Sequence, residues 1–343
     1  APRIPPEARR PWNLFLCVDV SGSMSGEKMS YTREALQTFL GHLLPGDQVT
    51  LVTFDSNART LFTALEFSEN EETIRETFQS LSAGSSTNMK AGLNLTYELA
   101  QEYFNASSLQ RVLLFSDGNA NVGDTDIETF QRLTRINGQE GIYLSGVGVG
   151  RDYDWERMDL LTDAGKGAHV FLPNRSEVDL IFGDYFPKLV EVAADEISIE
   201  FTLPTGIRLS AFSGEEVSTN PDDRLQNIIL AAGDDLTFLA EFLVTDPEAL
   251  DEPASLTVRY RPLSTGEETS AVLPISSVRD LIVDPGPFME RTRRVNQFAN
   301  LASSDDSTNP DWDSLLTDLE SQIAPDWGIQ EITELLQRRE NQR

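Results

Sequence analysis

Asp19-Val20-Ser21-Gly22-Ser23-Met24 is the stretch on which the reading of this chain turns. Before it stands Leu14-Phe15-Leu16-Cys17-Val18, an apolar run without alternation, the pattern of a strand buried on both faces in a parallel sheet. After it, Met29, Thr32, Leu36, Phe39, Leu40 and Leu43 recur at helical spacing. One carboxylate and two hydroxyls therefore sit on a short turn between the C-terminal end of a strand and the start of a helix. Open α/β sheets bind ligands at that edge. Taken alone, the turn has two readings. It is an Asp-initiated turn whose serines cap the next helix, or it is part of a site whose other members lie further along the chain.

The segments that follow alternate between strand and helix. A second strand is predicted over 48–54 and a third over 58–65. The link between them is only Asp55-Ser56-Asn57, so the third must run antiparallel, because a parallel crossover needs a dozen or more residues. Segment 68–81 reads as a helix capped by Ser68, with Glu71 three residues on. Segment 89–104 reads as a helix with Met89, Leu93, Thr96, Tyr97, Ala100 and Phe104 on one face. A second unbroken strand, 111–115, ends in Ser116-Asp117-Gly118. Helices over 126–136 and 155–162 alternate with strands over 141–149 and 168–172, and a last helix spans 176–192, where Pro187 predicts a kink. The whole is an α/β fold, a doubly wound, mostly parallel sheet with one antiparallel edge strand.

Two further elements can reach the opening turn. Asp117 ends a strand and Thr87 precedes a helix. With Asp19, Ser21 and Ser23 they make two carboxylates and three hydroxyls, an all-oxygen set that suits magnesium, manganese or calcium rather than zinc. Two carboxylates at most offset a divalent charge. A metal held this way keeps an exchangeable position, for which a carboxylate from another molecule is a natural ligand.

These residues resemble the von Willebrand factor type A domain. Its metal-ion-dependent adhesion site is written as Asp-x-Ser-x-Ser, a distant Thr and a distant Asp-Gly. The matching positions are Asp19, Ser21 and Ser23, Thr87 within Ser86-Thr87-Asn88-Met89-Lys90-Ala91-Gly92, and Asp117-Gly118. Ser86 stands where many members have Gly, a departure that removes no ligand. The resemblance covers roughly 13–190. It implies a Rossmann-like domain without enzymatic activity, holding Mg2+ (or Mn2+ or Ca2+) and gripping an exposed Asp or Glu of a protein partner, in adhesion or assembly. It also implies that the last helix shifts when ligand binds, as in integrin inserted domains, whereas the residues themselves call only for a docked helix. Because many bacterial members are intracellular adaptors working with a MoxR-type AAA ATPase, that function stands as the alternative, with metal-dependent hydrolysis a third.

Other chemistry finds little support. His42 and His169 are the only histidines. The first falls near a helix C-terminus, where it complements the dipole, and the second lies in a strand. No Gly-x-Ser-x-Gly elbow occurs. Gly146-Val147-Gly148-Val149-Gly150 lacks the Lys-Ser/Thr of a phosphate loop and reads as a close-packed strand with a turn. Cys17, the sole cysteine, reads as a small buried thiol. Asn94, Asn105 and Asn174 head glycosylation tripeptides, a weak signal.

Beyond 192 the pattern becomes strands alone, with 196–203 alternating cleanly and further strands over 207–212, 225–231, 236–244, 255–260 and 269–275. These predict a β-sandwich over 193–277, similar to the β-domain that follows the type A domain in many bacterial proteins, to which residues 1–12 add strands in some relatives. Helices over 288–301, 311–323 and 329–339 make a helical tail from 278 to 343. Its Asp305, Asp306, Asp311 and Asp313 lack the Gly and closing Glu of a calcium loop and read as solvated caps. The formal net charge of -29 argues against nucleic acid as a partner. It divides unevenly, with 16 basic against 26 acidic residues through Val190 and 11 against 30 after it. No apolar run reaches membrane-spanning length and no signal-peptide pattern is present, although the sequence begins with Ala1, so a removed segment stays open. Acidity of this degree fits an extracellular or cell-surface protein, with the cytoplasm as the alternative. Oligomeric state is not legible.

Overall fold

The computed structural model describes residues 4–5, 8–84, 86–119, 126–213, 228–233, 238–263, 265–283, 286–303, 311–320, 332–333 and 336–337. The chain divides into two compact units, the first comprising Ala1–Asp195, Asn227–Asp235 and Pro262–Gly266, the second comprising Glu196–Gln226, Leu236–Arg261 and Glu267–Arg343.

The first unit is built on β1 (Trp12–Asp19), β2 (Gln48–Phe54), β3 (Ala58–Glu66), β4 (Leu109–Ser116), β5 (Ile142–Val149) and β6 (His169–Leu172), in the sheet order β3-β2-β1-β4-β5-β6. The β2–β3 pair is antiparallel and the other pairs are parallel, as the short Asp55–Asn57 link requires. Helices α1 (Glu27–Phe39), α2 (Phe67–Ser80), α3 (Met89–Glu102), α4 (Ile127–Gln139), α5 (Trp155–Ala164) and α6 (Phe186–Val190) complete it.

Every residue of β1 is buried, and alternation across the pleat divides its side chains between two cores. Leu14, Leu16 and Val18 join Leu36 and Phe39 of α1 and Phe182 and Phe186 on one face. Phe15 and Cys17 join Met89, Leu93 and Tyr97 of α3 with Phe130 and Leu161 on the other. Each such aliphatic or aromatic side chain contributes about 1.5–3 kcal/mol on burial. Helices thus cover both faces, and the polar ends of the strands are left to carry chemistry.

Local detail departs from the sequence reading at three places. The cap of α2 is Glu66, whose carboxylate accepts from the Glu69 N–H, while Ser68 donates to Glu66 instead of capping. Phe104, read as buried, is 46% exposed, because α3 ends at Glu102. His42 ends a 3-10 turn at Leu40–His42 that follows α1, the helix C-terminus expected for it. Its Nε2 lies 2.8 Å from the Phe182 carbonyl oxygen and its ring stacks on Phe186. The expected single helix over 176–192 is three pieces: a 3-10 turn at Arg175–Glu177, a π-helical segment at Asp179–Asp184 and α6, with Pro187 in the first turn of α6, where its missing N–H costs nothing. The carbonyls at the end of α6 are held from the sheet: Ser145 Oγ donates to Leu189 O at 2.6 Å, and the buried Arg111 donates to Val190 O at 2.6 and 3.2 Å. Arg9 reaches Asp47 and stacks over the Trp12 ring.

β7 (Val192–Thr202) starts earlier than predicted, and β8 (Ile207–Ser213) follows it. In the first unit the Ala232 N–H, just after β9 (Ile228–Ala231), donates to the Glu191 carbonyl at 3.0 Å. In the second unit β10 (Leu239–Val244) pairs antiparallel with β8, and β11 (Ala254–Pro262) with β12 (Thr269–Ile275). Helices α7 (Val278–Val283), α8 (Gly286–Ser303) and α9 (Asp311–Glu320) follow. The last two meet through Leu301, Trp312, Leu315 and Leu319, with Arg294 paired to Asp318 at 2.7 Å. Residues 225–227, 321–323, Asp305, Asp306 and most of the predicted 329–339 helix lie outside the described residues. Asp311 and Asp313 occupy the first turn of α9, where acids complement the helix dipole. No described helix is long and apolar enough to cross a membrane.

Candidate metal site

The order β3-β2-β1-β4-β5-β6 reverses direction between β1 and β4, and the C-terminal ends of these two strands flank the crevice where such sheets bind ligands. Asp19 closes β1, and Ser116 closes β4 with Asp117 next. Val18 stands opposite Phe115 in the pairing, so Asp19 and Ser116 follow side by side, and Ser116 Oγ donates to Asp19 Oδ2 at 2.8 Å. The register of a parallel pair thereby brings together residues almost a hundred positions apart.

The turn after Asp19 decides between the two readings of its serines. Asp19 Oδ1 accepts the Ser21 N–H at 2.8 Å, so the Asp-initiated turn is real. The capping half of that reading fails. Ser21 precedes a 3-10 turn at Gly22–Met24 without any side-chain cap bond, and α1 is preceded by Gly26, at φ +74, likewise without one. The two hydroxyls face each other instead, Ser21 Oγ at 3.1 Å from Ser23 Oγ. Ser21 is fully buried and Ser23 exposed, so the pair runs from the interior to the surface.

Thr87, also buried, arrives on the loop between α2 and α3. Backbone bonds tie that loop to the same edge: the Gly84 N–H donates to the Val20 carbonyl, and the Asn88 N–H to the Asp55 carbonyl at 2.7 Å. A Cβ on Gly84 would lie 2.7 Å from Asp55 Oδ2 and 3.2 Å from the Val20 oxygen, so a side chain there would force these neighbours to shift.

Asp117 is fully buried. Its Oδ1 accepts the Asn119 N–H at 3.1 Å, and its carbonyl accepts the Asp154 N–H at 2.8 Å. Its Oδ2 accepts from Lys28 Nζ at 3.1 Å, and Lys28 also reaches Asp152 Oδ1 at 2.7 Å. The sequence reading missed Lys28 and Asp152. One signal was available, since Lys28 falls in the first turn of α1, where a cation opposes the helix dipole and needs a local reason to be there.

The electrostatics follow from burial. Asp19 is pushed up to about 6, first by desolvation and further by the neighbouring Asp117, against the pull of the Ser21 and Ser116 hydrogen bonds. Two buried carboxylates, of which only Asp117 meets an ammonium, leave a local excess of negative charge that a bound cation would relieve. Together with three hydroxyls, these donors fit a hard divalent ion. Among the described residues no cluster of three or more His, Cys, Asp or Glu forms a candidate metal site.

The neighbouring glycines are structural. A Cβ on Gly146 would lie 2.6 Å from Met158 Sδ, and one on Gly148 would fall within the Tyr153 ring. The 146–150 run is therefore a closely packed strand, and Gly150 turns out of it at φ +88.

Comparison with known proteins shows a family likeness over part of the chain. Residues 14–119 match the family model described as von Willebrand factor type A domain. Among curated proteins, the uncharacterized protein YfbK of Escherichia coli is 30% identical over 193 residues, 55% of this chain and 33% of that protein. Inter-alpha-trypsin inhibitor heavy chain H4 of Bos taurus is 27% identical over 200 residues, 56% of this chain and 22% of that protein. The chain thus spans about a third or less of the length of these relatives. A solved structure, von Willebrand factor type A from Catenulispora acidiphila, superposes with a TM-score of 0.57 at 15% identity, covering 85% of this chain and 73% of that one, a likeness of fold.

Proposed function

We propose that the von Willebrand factor type A domain carried by this chain is a non-enzymatic binding module that grips an acidic side chain of a protein partner through a divalent metal, Mg2+ first among the candidates. Asp19, Ser21, Ser23, Thr87 and Asp117 would hold the ion, which supplies a Lewis-acidic position open to a carboxylate from outside. The observation that carries this reading is the buried Asp19–Asp117 pair at the β1/β4 crevice, where serine hydroxyls that could have capped a helix are turned to one another instead. Charge placement supports it, since most of the acidity falls after Val190 and an acidic ligand meets less repulsion at the first unit. No histidine stands at this edge to act as general base: His42 bonds the Phe182 carbonyl and His169 lies 3.5 Å from Asp159. We read residues 13–192 as the binding domain, the antiparallel strands of 193–277 as a sandwich that carries it and 278–343 as a helical tail, in a protein placed outside the cell or on its surface.

The test is a pull-down from source cells with Mg2+, with chelator, and with Ser21→Ala in Mg2+. Partners retained with Mg2+ and lost in the other two conditions support the mechanism. Equal retention under all three overturns it.

A further inference from the structure

Among the described residues at this edge, Lys28 is a group that cation binding does not call for. Its charge opposes the dipole of α1, yet its side chain is only 14% exposed and its ammonium is fixed between Asp117 and Asp152. The seat is built into the backbone. Gly150 turns at φ +88 with its N–H held by the Leu172 carbonyl at 2.9 Å, and a Cβ there would overlap Lys28 Cε. Asp152, 71% exposed, supplies a carboxylate that no core contact needs. A surface lysine left to itself spreads over many rotamers. This one has its ammonium held from two sides.

We propose that Lys28 is a positioning residue for the metal site, which engages Asp117 Oδ2 and, shared with Asp152, lowers the negative charge the site offers a cation. Asp19 and Asp117 formally balance a divalent ion, and Lys28, shared between Asp117 and Asp152, withdraws part of that charge from Asp117. The residual positive charge is then offset by the carboxylate of a partner, so that metal and acidic partner stabilise each other at the site. This rests on the metal reading above and adds to it a reason for the ion alone to bind less tightly than it would without Lys28. Asp152 holds the ammonium in place and moderates its effect.

The experiment is isothermal titration of the full chain with MgCl2 alone, comparing wild type with Lys28→Met, Lys28→Arg and Asp152→Asn. Lys28→Met is expected to bind Mg2+ about tenfold more tightly, because an ammonium in contact with a ligand carboxylate of a partly buried site opposes the ion. Lys28→Arg, which keeps the charge, stays close to wild type, and Asp152→Asn binds more weakly. If wild type binds and Lys28→Met binds equally or less well, the role of Lys28 is overturned and the site stands. If neither binds, both fall. Binding by Lys28→Met alone supports the role in its strongest form. Should Lys28→Met show no cooperative thermal transition in chelator, the exposed Asp152→Asn decides, and unchanged affinity there overturns the proposal.

Discussion

Asp19→Asn should stabilise the metal-free protein at neutral pH, and the size of the gain follows from the site. In the fold the Asp19 carboxyl sits at about 6 rather than 3.8, chiefly because burial penalises the anion. At about 1.4 kcal/mol for each tenfold change in proton affinity, ionising it inside the protein costs about 3 kcal/mol. The sign follows from proton counting. Between 3.8 and about 6 the folded state holds the proton and the unfolded state has lost it, so stability falls as pH rises through that window and is flat above it. Asparagine carries no such penalty. Its oxygen can still accept the Ser21 N–H, and its amide can donate to Ser116 Oγ, which already accepts the Gly118 N–H at 3.0 Å. Allowing about 1 kcal/mol for weakening two charge-assisted bonds, the net gain is about 2 kcal/mol, or roughly 4–8 °C in Tm for a unit of this size. Thermal unfolding of both proteins in chelator, at steps from pH 4 to pH 8, measures this. Wild type should lose stability relative to Asp19→Asn up to about pH 6 and then run parallel to it. Parallel curves over the whole range, with no advantage to the variant at pH 7.5, would refute the reasoning. Added Mg2+ should reverse the order of the two proteins.

Three other perturbations probe the frame that holds the site. Gly148→Ala puts a methyl into the Tyr153 ring and should cost about 1–3 kcal/mol in urea denaturation, a cost that shrinks in a Tyr153→Ala background. The Cys17 thiol, buried and pushed up to about 12 first by desolvation, should resist a thiol-labelling reagent at pH 8 in the native protein and react at the rate of global unfolding. Amide exchange across α6 should keep the same protection with and without Mg2+, because Ser145 and Arg111 hold its terminal carbonyls. Arg111→Met, which strands the Val190 oxygen, should raise exchange there and cost about 1–3 kcal/mol.

Much of the first unit was legible because its signals are local and strong. Unbroken apolar runs marked β1 and β4, and a link of three residues fixed the direction of β3. Where tertiary contacts override local preference, the sequence misled. Glu66 takes the cap that Ser68 seemed made for, because its longer side chain accepts from the Gly46 N–H and Ser68 Oγ as well as from Glu69. The break in the 176–192 helix was signalled only by Pro187, while a π segment there depends on packing against α1 that no pattern in the segment announces.

The candidate site shows the same division in sharper form. Asp19, Ser21 and Ser23 announce themselves by spacing within five residues, and Asp117 and Thr87 by their places at the ends of elements. Lys28 and Asp152 do not, because what makes them matter is a contact between the first turn of α1 and the loop after β5, which the winding of the sheet brings together. A motif names the groups that can touch an ion. It is silent on the groups that set how much charge those ligands retain, since such groups need only lie within a few ångströms and can come from anywhere in the chain. Lys28 was nonetheless visible as an oddity, a cation where the helix dipole asks for an anion. A charge that contradicts its local secondary structure is therefore a signal in its own right. It must be satisfied by a partner from another part of the chain, and here that partner is a candidate metal ligand.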